Sequence, residues 1–323
     1  MSSPAVLTIA GSDPSGGAGI QADLKTFTAL KCYGTSVITA LTAQNTVGVR
    51  GVHACPPGFV KEQLESVLDD TNIVVMKTGM LFDEATIRVV ASTLRKYYTE
   101  KPLRLVCDPV CVSTSGHVLL VDSALGSLID EMLPLATLIT PNKSEAEHIL
   151  SHKGQMVVIS SLADMVSAST ELLAMGPKAV LLKGGHVKST IAEVHGLIAE
   201  NPAISVYTYE LDENLNAPKV GFSGEHQLAS LVVDVLQHST GSRGGVETSI
   251  FIRPRIDSTS THGTGCTLSA AITCGLARGL SIPEAVRDGT IYTHLGILHA
   301  FPVGAGHGPL NHTHSLVSRF VPR

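Results

Sequence analysis

The chain has 323 residues, of which 44 % are hydrophobic and 16 % charged, a composition that predicts a folded protein with a large core. Its net charge of −5 and pI near 6.3 argue against nucleic acid and membrane surfaces as partners. No apolar run approaches the roughly 18 residues of a membrane span, and the N-terminus lacks the pattern of a secretory signal. Six cysteines without a CxxC pair favour a reduced, cytoplasmic protein.

Short β-branched apolar runs alternate with longer amphipathic runs through the first 185 residues. The apolar runs predict strands at 5–11, 36–43, 73–79, 103–109, 136–142, 156–160 and 179–185. The amphipathic runs predict helices at 19–32, 57–70, 83–98 and 162–176. This alternation predicts an α/β fold with a mostly parallel central sheet and helices on both faces. Functional side chains are then expected in loops beyond the carboxyl ends of the strands.

The pattern changes between about residues 190 and 255. Runs within 190–224 predict a β-meander, and 223–239 reads as a helix that begins with a serine cap. Residues around 237–250 are rich in glycine and serine and predict an irregular insertion. Two last helices are predicted at 264–279 and 282–300. Because no internal repeat or linker is found, we expect a single domain over 1–323.

The first glycine-rich loop, GSDPSGGAG (11–19), follows a predicted strand and opens a predicted helix. GAGIQA fits a dinucleotide pattern weakly, because the next strand ends without an acid for a ribose. A Walker A loop is excluded, since the sequence contains no Gly-Lys dipeptide. Two interpretations remain: a loop that closes on a small substrate, with Asp23 facing it, or a flexible turn with a solvated Asp23.

The second glycine-rich stretch, HGTGC (262–266), stands directly before a predicted helix. Free backbone N–H groups at a helix start bind anions, and the same field predicts a lowered pKa for the Cys266 thiol. A thiolate there could accept a proton from an attacking hydroxyl, while Gly263 and Gly265 hold developing negative charge. The alternative is that Cys266 is a small core residue.

Polar residues at the ends of later strands suggest a polyphosphate site. Asp108 and Glu145 could position Mg²⁺, which commonly uses one or two carboxylates and several waters. Asn142 and Glu145 also have the form of a helix capping box, and both roles can coexist. Lys183 ends a buried strand, where a phosphate would be a natural partner. For His307, His312 and His314, a surface or packing role is favoured over zinc.

Taken together, these stretches resemble the hydroxymethylpyrimidine/phosphomethylpyrimidine kinase family, a ribokinase-like branch used in thiamine biosynthesis. The resemblance covers nearly the whole chain and rests on IAGSDPSGGAGIQADLKTF (9–27), TALTAQNT (39–46), KTGM (77–80), DPV (108–110), TPNKSEAE (140–147), KGGH (183–186), THGTGCTLSAAI (261–272) and GHGPLNH (306–312). It implies a three-layer sandwich and transfer of the ATP γ-phosphate to 4-amino-5-hydroxymethyl-2-methylpyrimidine, with a second phosphorylation to the diphosphate.

The resemblance also implies roles for individual residues. Gly11, Asp23, Gln44 and Met80 would bind the pyrimidine, with Gln44 on its amino edge and Met80 on its ring. Gly263, Gly265 and Cys266 would form the anion hole and supply the base. Asp108 and Glu145 would serve Mg²⁺, and Asn142 and Lys183 would face the nucleotide phosphates.

Two stretches depart from the family pattern. The loop at 111–117 lacks a lysine that the family often has, and 197–250 is longer than expected. A homodimer is expected because dimers are common in this fold family. The main alternative function is a pyridoxal kinase of the same fold, and a non-catalytic pyrimidine-binding protein is a second alternative.

Overall fold

The computed structural model describes residues 3–99, 102, 104–111, 120, 122–152, 154, 156–209, 231–240 and 245–316. The chain divides into two compact units. Unit 1 consists of Met1–Ala124 and Ser258–Arg323, and unit 2 consists of Leu125–Asp257. The prediction of a single domain over 1–323 stays a prediction.

The described residues contain ten strands and nine α-helices. The strands are β1 (Ala5–Ser12), β2 (Tyr33–Asn45), β3 (Gly48–Ala54), β4 (Ile73–Thr78), β5 (Leu105–Cys107), β6 (Leu138–Ile139), β7 (Ala179–Leu182), β8 (Ser205–Thr208), β9 (Leu231–Ser239) and β10 (Val246–Pro254). The helices are α1 (Gly19–Ala29), α2 (Pro57–Asp70), α3 (Glu84–Tyr97), α4 (Leu125–Ser127), α5 (Lys143–His152), α6 (Leu162–Leu173), α7 (Ile191–Glu200), α8 (Thr264–Ala277) and α9 (Ile282–Leu298).

Unit 1 is built on strands in the order β3-β2-β1-β4-β5. β1 pairs in parallel with β2 and β4, β4 pairs in parallel with β5, and β3 is antiparallel to β2. Helices α1 and α8 pack on this sheet and on each other, while α2 packs with α3 and against β2. The interior residues of β1 are all buried, as expected for a central parallel strand covered on both faces.

Unit 2 has strands in the order β6-β7-β9-β10-β8. β6 is parallel to β7 and β10 to β8, whereas β9 is antiparallel to both β7 and β10. Helix α6 packs against β7 and β9, with α5 and α7 on either side of it. All four residues of β7 are buried, which matches its uninterrupted apolar sequence.

Most predicted elements are confirmed, with the ends of strands shortened or lengthened by a few residues. One predicted strand is absent: residues 156–160 have no regular structure. There the exposed side chains of Met156 and Val158 alternate with less exposed ones, and β7 occupies the place beside β6. An apolar run of this length therefore did not suffice to form a strand.

The region after residue 190 differs from its prediction in two places. Residues 191–200 form helix α7 instead of a strand, because Thr190 and Glu193 make a reciprocal capping box. Residues 231–239 form strand β9 instead of a helix, because this β-branched apolar run is buried and pairs along its length with β10.

Most of the described residues of the predicted irregular insertion around 237–250 lie in strands. Residues 237–239 end β9, residues 246–250 begin β10, and Thr240 donates its backbone N–H to the carbonyl of Gly245. The last run of the predicted β-meander, KVGFSG (219–224), lies outside the described residues. Within the part of the chain that is described, no helix is both long and apolar enough to cross a membrane.

Candidate functional site

Two glycine-rich turns of unit 1 touch each other through their backbones. Gly263, the residue before α8, has φ of 80°, a left-handed conformation that favours glycine. A Cβ placed on Gly263 would lie 1.9 Å from the carbonyl oxygen of Gly17, in the loop between β1 and α1. A Cβ on Gly17 would lie 2.5 Å from the His262 ring. The glycines are needed here because no side chain fits between the two turns.

Asp13 holds this pair of turns together. Its Oδ2 accepts from the backbone N–H groups of Gly17 (3.1 Å) and Ala18 (2.8 Å), and its Oδ1 accepts from the N–H of Ser15 at 2.9 Å. The Nε2 of His262 lies 2.8 Å from Oδ2. Burial opposes ionisation of Asp13, but hydrogen bonds from His262, Ser15 and Ala18 lower its pKa to about 2. The carboxylate is therefore a charged anchor at neutral pH.

Cys266 lies in the first turn of α8 and is half-buried. The backbone N–H of Gly19, at the start of α1, donates to its sulfur. Burial nevertheless raises the pKa of the thiol to about 11, and the charges of Asp23 and Asp108 add to this, against the opposing effect of Lys77. The prediction of a lowered pKa is wrong, because burial and two carboxylates outweigh the helix start.

Asp23 is fully buried and faces the protein interior. Its Oδ1 lies 2.7 Å from the Nζ of Lys77, and its Oδ2 accepts from the hydroxyl of Thr8 at 2.6 Å. Neither expectation for Asp23 matches this geometry: it is not solvated, and both carboxylate oxygens are bound to protein groups. Burial raises the pKa of Asp23, against the lowering effect of Lys77.

The other residues expected on the pyrimidine side lie on β1 (Gly11), on β2 (Gln44) and just after β4 (Met80). The Gln44 side chain is half-buried, with its Oε1 3.2 Å from Thr42 Oγ1 and its Nε2 3.2 Å from His262 Nε2. Met80 is buried, and its Cε would lie 2.3 Å from a Cβ on Gly11. Gly11 thus leaves the space that Met80 fills. An amide offers both a donor and an acceptor, as an aminopyrimidine edge requires.

Asp108 follows β5 and is 1 % exposed. The hydroxyl of Ser269, one turn into α8, donates to its Oδ2 at 3.4 Å. In the loop at 111–117, which differs from the family pattern, only Cys111 is described. Its thiol lies 3.4 Å from the carbonyl oxygen of Pro109. Unit 1 therefore places Asp108, Cys266 and the two glycine-rich turns near the N-terminal part of α8.

Unit 2 brings Asn142, Glu145 and Lys183 together. Glu145 Oε2 accepts from the N–H of Asn142 at 2.7 Å, and Asn142 Oδ1 accepts from the N–H of Glu145 at 3.0 Å, which is a reciprocal cap for α5. Asn142 also bridges to Lys183 in the backbone, and the Lys183 Nζ lies 3.8 Å from Glu145 Oε2. The capping box is confirmed, and it places the lysine beside a buried carboxylate.

Each of the two units carries one buried carboxylate that was expected to serve Mg²⁺. Within the described residues, no group of three or more His, Cys, Asp or Glu side chains could hold a metal ion. Asp108 of unit 1 is 1 % exposed, and Glu145 of unit 2 is 5 % exposed. Either carboxylate alone fits Mg²⁺, because this ion takes one or two carboxylates and completes its shell with phosphate and water.

Of the three C-terminal histidines, His307 is exposed, whereas His312 and His314 pack against α8 and α9. His312 Nε2 lies 3.1 Å from the hydroxyl of Thr267, and His314 Nε2 lies 2.9 Å from the carbonyl oxygen of Tyr292. Burial lowers the pKa of His312 to about 4, with a smaller contribution from the charge of Lys25. His312 is thus a neutral packing group at pH 7.

Comparison with known proteins assigns the family. The profile of the family described as phosphomethylpyrimidine kinase matches residues 13–216 and 207–311. The chain belongs to this family. A hydroxymethylpyrimidine/phosphomethylpyrimidine kinase of Streptomyces coelicolor is 39 % identical over 309 residues, which cover 96 % of this chain and 94 % of that protein. Some bifunctional relatives are longer, and the chain spans about half of their length.

Solved structures of the family's fold agree with this assignment. A phosphomethylpyrimidine kinase from Clostridium difficile is 37 % identical, with a TM-score of 0.64 and coverage of 90 % of this chain and 98 % of that one. An ADP complex of Bacillus subtilis pyridoxal kinase is 29 % identical, with a TM-score of 0.73 and coverage of 97 % and 98 %. The predictions of family and of a ribokinase-like α/β fold are confirmed.

Three residues of the site were missed in the sequence: Asp13, Lys77 and His262. Lys77 had a detectable signal, because a lysine interrupts the buried run IVVMKT of β4. Asp13 and His262 had none, because they lie 249 positions apart and meet only in the fold.

Proposed function

We propose that this phosphomethylpyrimidine kinase family member transfers the γ-phosphoryl group of ATP to the hydroxymethyl group of 4-amino-5-hydroxymethyl-2-methylpyrimidine. A second transfer to the monophosphate then gives the diphosphate. The observation that carries the proposal is the pair of contacting glycine turns at the start of α8, with Cys266 in its first turn. A donor-rich turn beside a proton acceptor is what phosphoryl transfer requires.

The residues of unit 1 would position and deprotonate the acceptor. Gln44 would hold the aminopyrimidine edge, and Met80 beside Gly11 would pack on the ring. The substrate O–H bond breaks, its proton passes to the sulfur of ionised Cys266, and the oxygen forms its bond to the γ-phosphorus as the bond to the departing ADP breaks. The first N–H groups of α8, around Gly263 and Gly265, would hold the developing charge.

The residues of unit 2 would hold the nucleotide. Lys183 and Asn142 lie together at the ends of β7 and β6 and could donate to phosphate oxygens. Mg²⁺, when bound, would neutralise phosphate charge, and the carboxylates of Asp108 and Glu145 are its proposed ligands. The ADP complex of the Bacillus subtilis pyridoxal kinase supports a nucleotide donor for this fold.

Pyridoxal is the second candidate acceptor. It also carries a ring hydroxymethyl group, and the structural likeness to a pyridoxal kinase, with a TM-score of 0.73, favours testing it. Gln44 favours the pyrimidine, because its amide complements an amino group beside a ring nitrogen. A homodimer and a cytoplasmic location stay predictions.

The test is to incubate the purified protein with ATP, Mg²⁺ and either compound, and to separate the products by mass. Mono- and then diphosphate from the pyrimidine would support the proposal. Phosphate on pyridoxal alone would keep the kinase and overturn the role of Gln44. No product from either compound would favour the non-catalytic binding protein.

A further inference from the structure

Lys77 is an ammonium group placed where a charge is costly. It lies on β4, opposite Thr8 of the central strand β1, and its side chain is 0 % exposed. Taking a charge out of water costs several kcal/mol unless nearby groups compensate. A methionine or leucine would fill this core position without the cost of desolvation. A charged residue here therefore needs a functional explanation.

Asp23 supplies only part of the compensation. The two side chains are 2.7 Å apart, and Asp23 is held in place from its other oxygen by Thr8. Burial acts against the charge of Lys77, but Asp23, then Cys266 and then Asp108 outweigh it and raise its pKa. The first turn of α8, which carries the Cys266 thiol, belongs to a helix that packs directly on the strand of Lys77.

The fold explains why these groups meet. Helix α8 packs against β1, β4 and β5, and α1 packs against β1 and α8. Lys77 comes from β4, Asp23 from α1, Cys266 from α8, and Asp108 follows β5. Three titratable groups, from α1, from α8 and from the end of β5, therefore act on the one buried positive charge of β4.

We propose that Lys77 is a positioning residue that holds a fixed positive charge toward Cys266 and so favours its thiolate, and that Asp23 orients Lys77 instead of contacting the substrate. The inference deepens the proposed function and rests on it for the role of the thiolate as base. Lys77 does not touch the substrate, because it has no exposed surface.

Substitutions of Lys77 and of Asp23 are predicted to change the ionisation of the Cys266 thiol in opposite directions. Loss of the ammonium removes the charge that stabilises the thiolate, so the Cys266 thiol becomes harder to ionise. Loss of the Asp23 charge removes a repulsion and frees Lys77 to act on the thiol, which becomes easier to ionise. A pair that serves only the stability of the core does not produce this opposition.

The experiment measures alkylation of Cys266 by iodoacetamide without substrates, at about pH 8.5, resolved by peptide mass spectrometry from the other five cysteines. A tenfold change in thiolate is partly offset by an opposite change in its nucleophilicity, so about a threefold change in rate is expected for each tenfold. Asp23→Asn is expected to be alkylated about threefold faster and Lys77→Gln about threefold slower than the wild type.

Two control variants show whether a change in rate comes from a general loss of folding. The double variant Lys77→Met with Asp23→Leu replaces the pair by apolar groups, which buried pairs often tolerate, and it is expected to be alkylated more slowly than the wild type. Arg253→Met removes a different ion pair to a fully buried carboxylate, with Asp234 in unit 2 at 2.6 Å, and is expected to leave the rate unchanged.

The outcomes separate this inference from the proposed function. Opposite changes in Asp23→Asn and in the two Lys77 variants support it, whatever the protein phosphorylates. Unchanged rates, or changes in the same direction, overturn it even in an active pyrimidine kinase. Because no substrate is present, failure to phosphorylate the pyrimidine does not affect this result.

Discussion

At the scale of single residues, the environment of Cys266 decides how it can act. Its pKa of about 11 means that the thiol is protonated in the free protein at pH 7. A base in that position must lose its proton before it can accept one from the substrate. The charges around the thiol, including the fixed charge of Lys77, therefore affect its ionisation more than its position at the start of α8 does.

Cys266→Ala is expected to reduce turnover by ~10²–10⁴-fold, the size usual for a positioned base, while the KM for the pyrimidine changes little. The measurement is steady-state kinetics with both substrates varied. Cys55→Ala, another cysteine that is not fully buried, is the matched control and should retain full turnover. Full activity of Cys266→Ala would show that this residue contributes only to packing.

At the scale of elements, the contact between the two glycine turns sets the position of α8. Gly263 and Gly279 stand just before and just after this helix, with φ of 80° and 90°. They differ in surroundings: a Cβ on Gly263 would overlap the carbonyl of Gly17, whereas a Cβ on Gly279 meets nothing within 4 Å. Comparing alanine substitutions at the two positions therefore separates the cost of backbone strain from the cost of a steric clash.

Gly279→Ala is expected to cost about 1–2 kcal/mol, the cost of a left-handed alanine. Gly263→Ala has the same strain and must also push the loop that contains Gly17 away, so it should cost at least about 2 kcal/mol more. The free energies of unfolding in urea measure this difference. Turnover should fall only in Gly263→Ala, and equal losses in both variants would contradict the role of the contact.

At the scale of the whole molecule, each compact unit carries one set of the proposed kinase residues. Gln44 belongs to unit 1, and Lys183 belongs to unit 2. Gln44→Ala is expected to raise the KM for the pyrimidine much more than that for ATP. Lys183→Met should have the opposite selectivity, because it removes a charge that favours phosphate. Kinetics of the two variants side by side test this, and equal effects on both KM values would remove the assignment.

The stability of the molecule should also depend on pH through His312. Burial lowers its pKa from 6.5 to about 4, so the unfolded chain binds a proton near pH 5 that the folded chain does not. Stability is therefore present above pH 6.5 and is lost as the pH falls toward 4, by about 3 kcal/mol in full. Urea unfolding across this range measures the loss.

His312→Asn is expected to flatten that part of the profile, since asparagine does not titrate. His53→Gln, an exposed position on β3, is the control and should follow the wild type. A parallel loss of stability in wild type and His312→Asn would show that other groups cause the acid sensitivity.

Local patterns were sufficient to predict most of the elements and both glycine turns. The run AVLTIAG predicts a buried strand because its side chains are apolar throughout, and β1 is the central strand of its unit. The apolar runs after Thr190 and within β9 predict a strand and a helix, but the Thr190 cap starts a helix and the pairing of β9 with β10 makes a strand. Pairing between distant segments is not visible in a local pattern.

The sequence by itself determined the family, the α/β class and the residues at the start of α8, because these depend on short motifs and on the period of apolar residues. Only the tertiary structure decided what surrounds those residues. Asp23 was expected at a substrate and is instead paired with Lys77, and Cys266 has a raised pKa where the helix start predicts a lowered one. Burial and the charges of groups distant in sequence set both properties, and these arise only when β1, β4, α1 and α8 pack together.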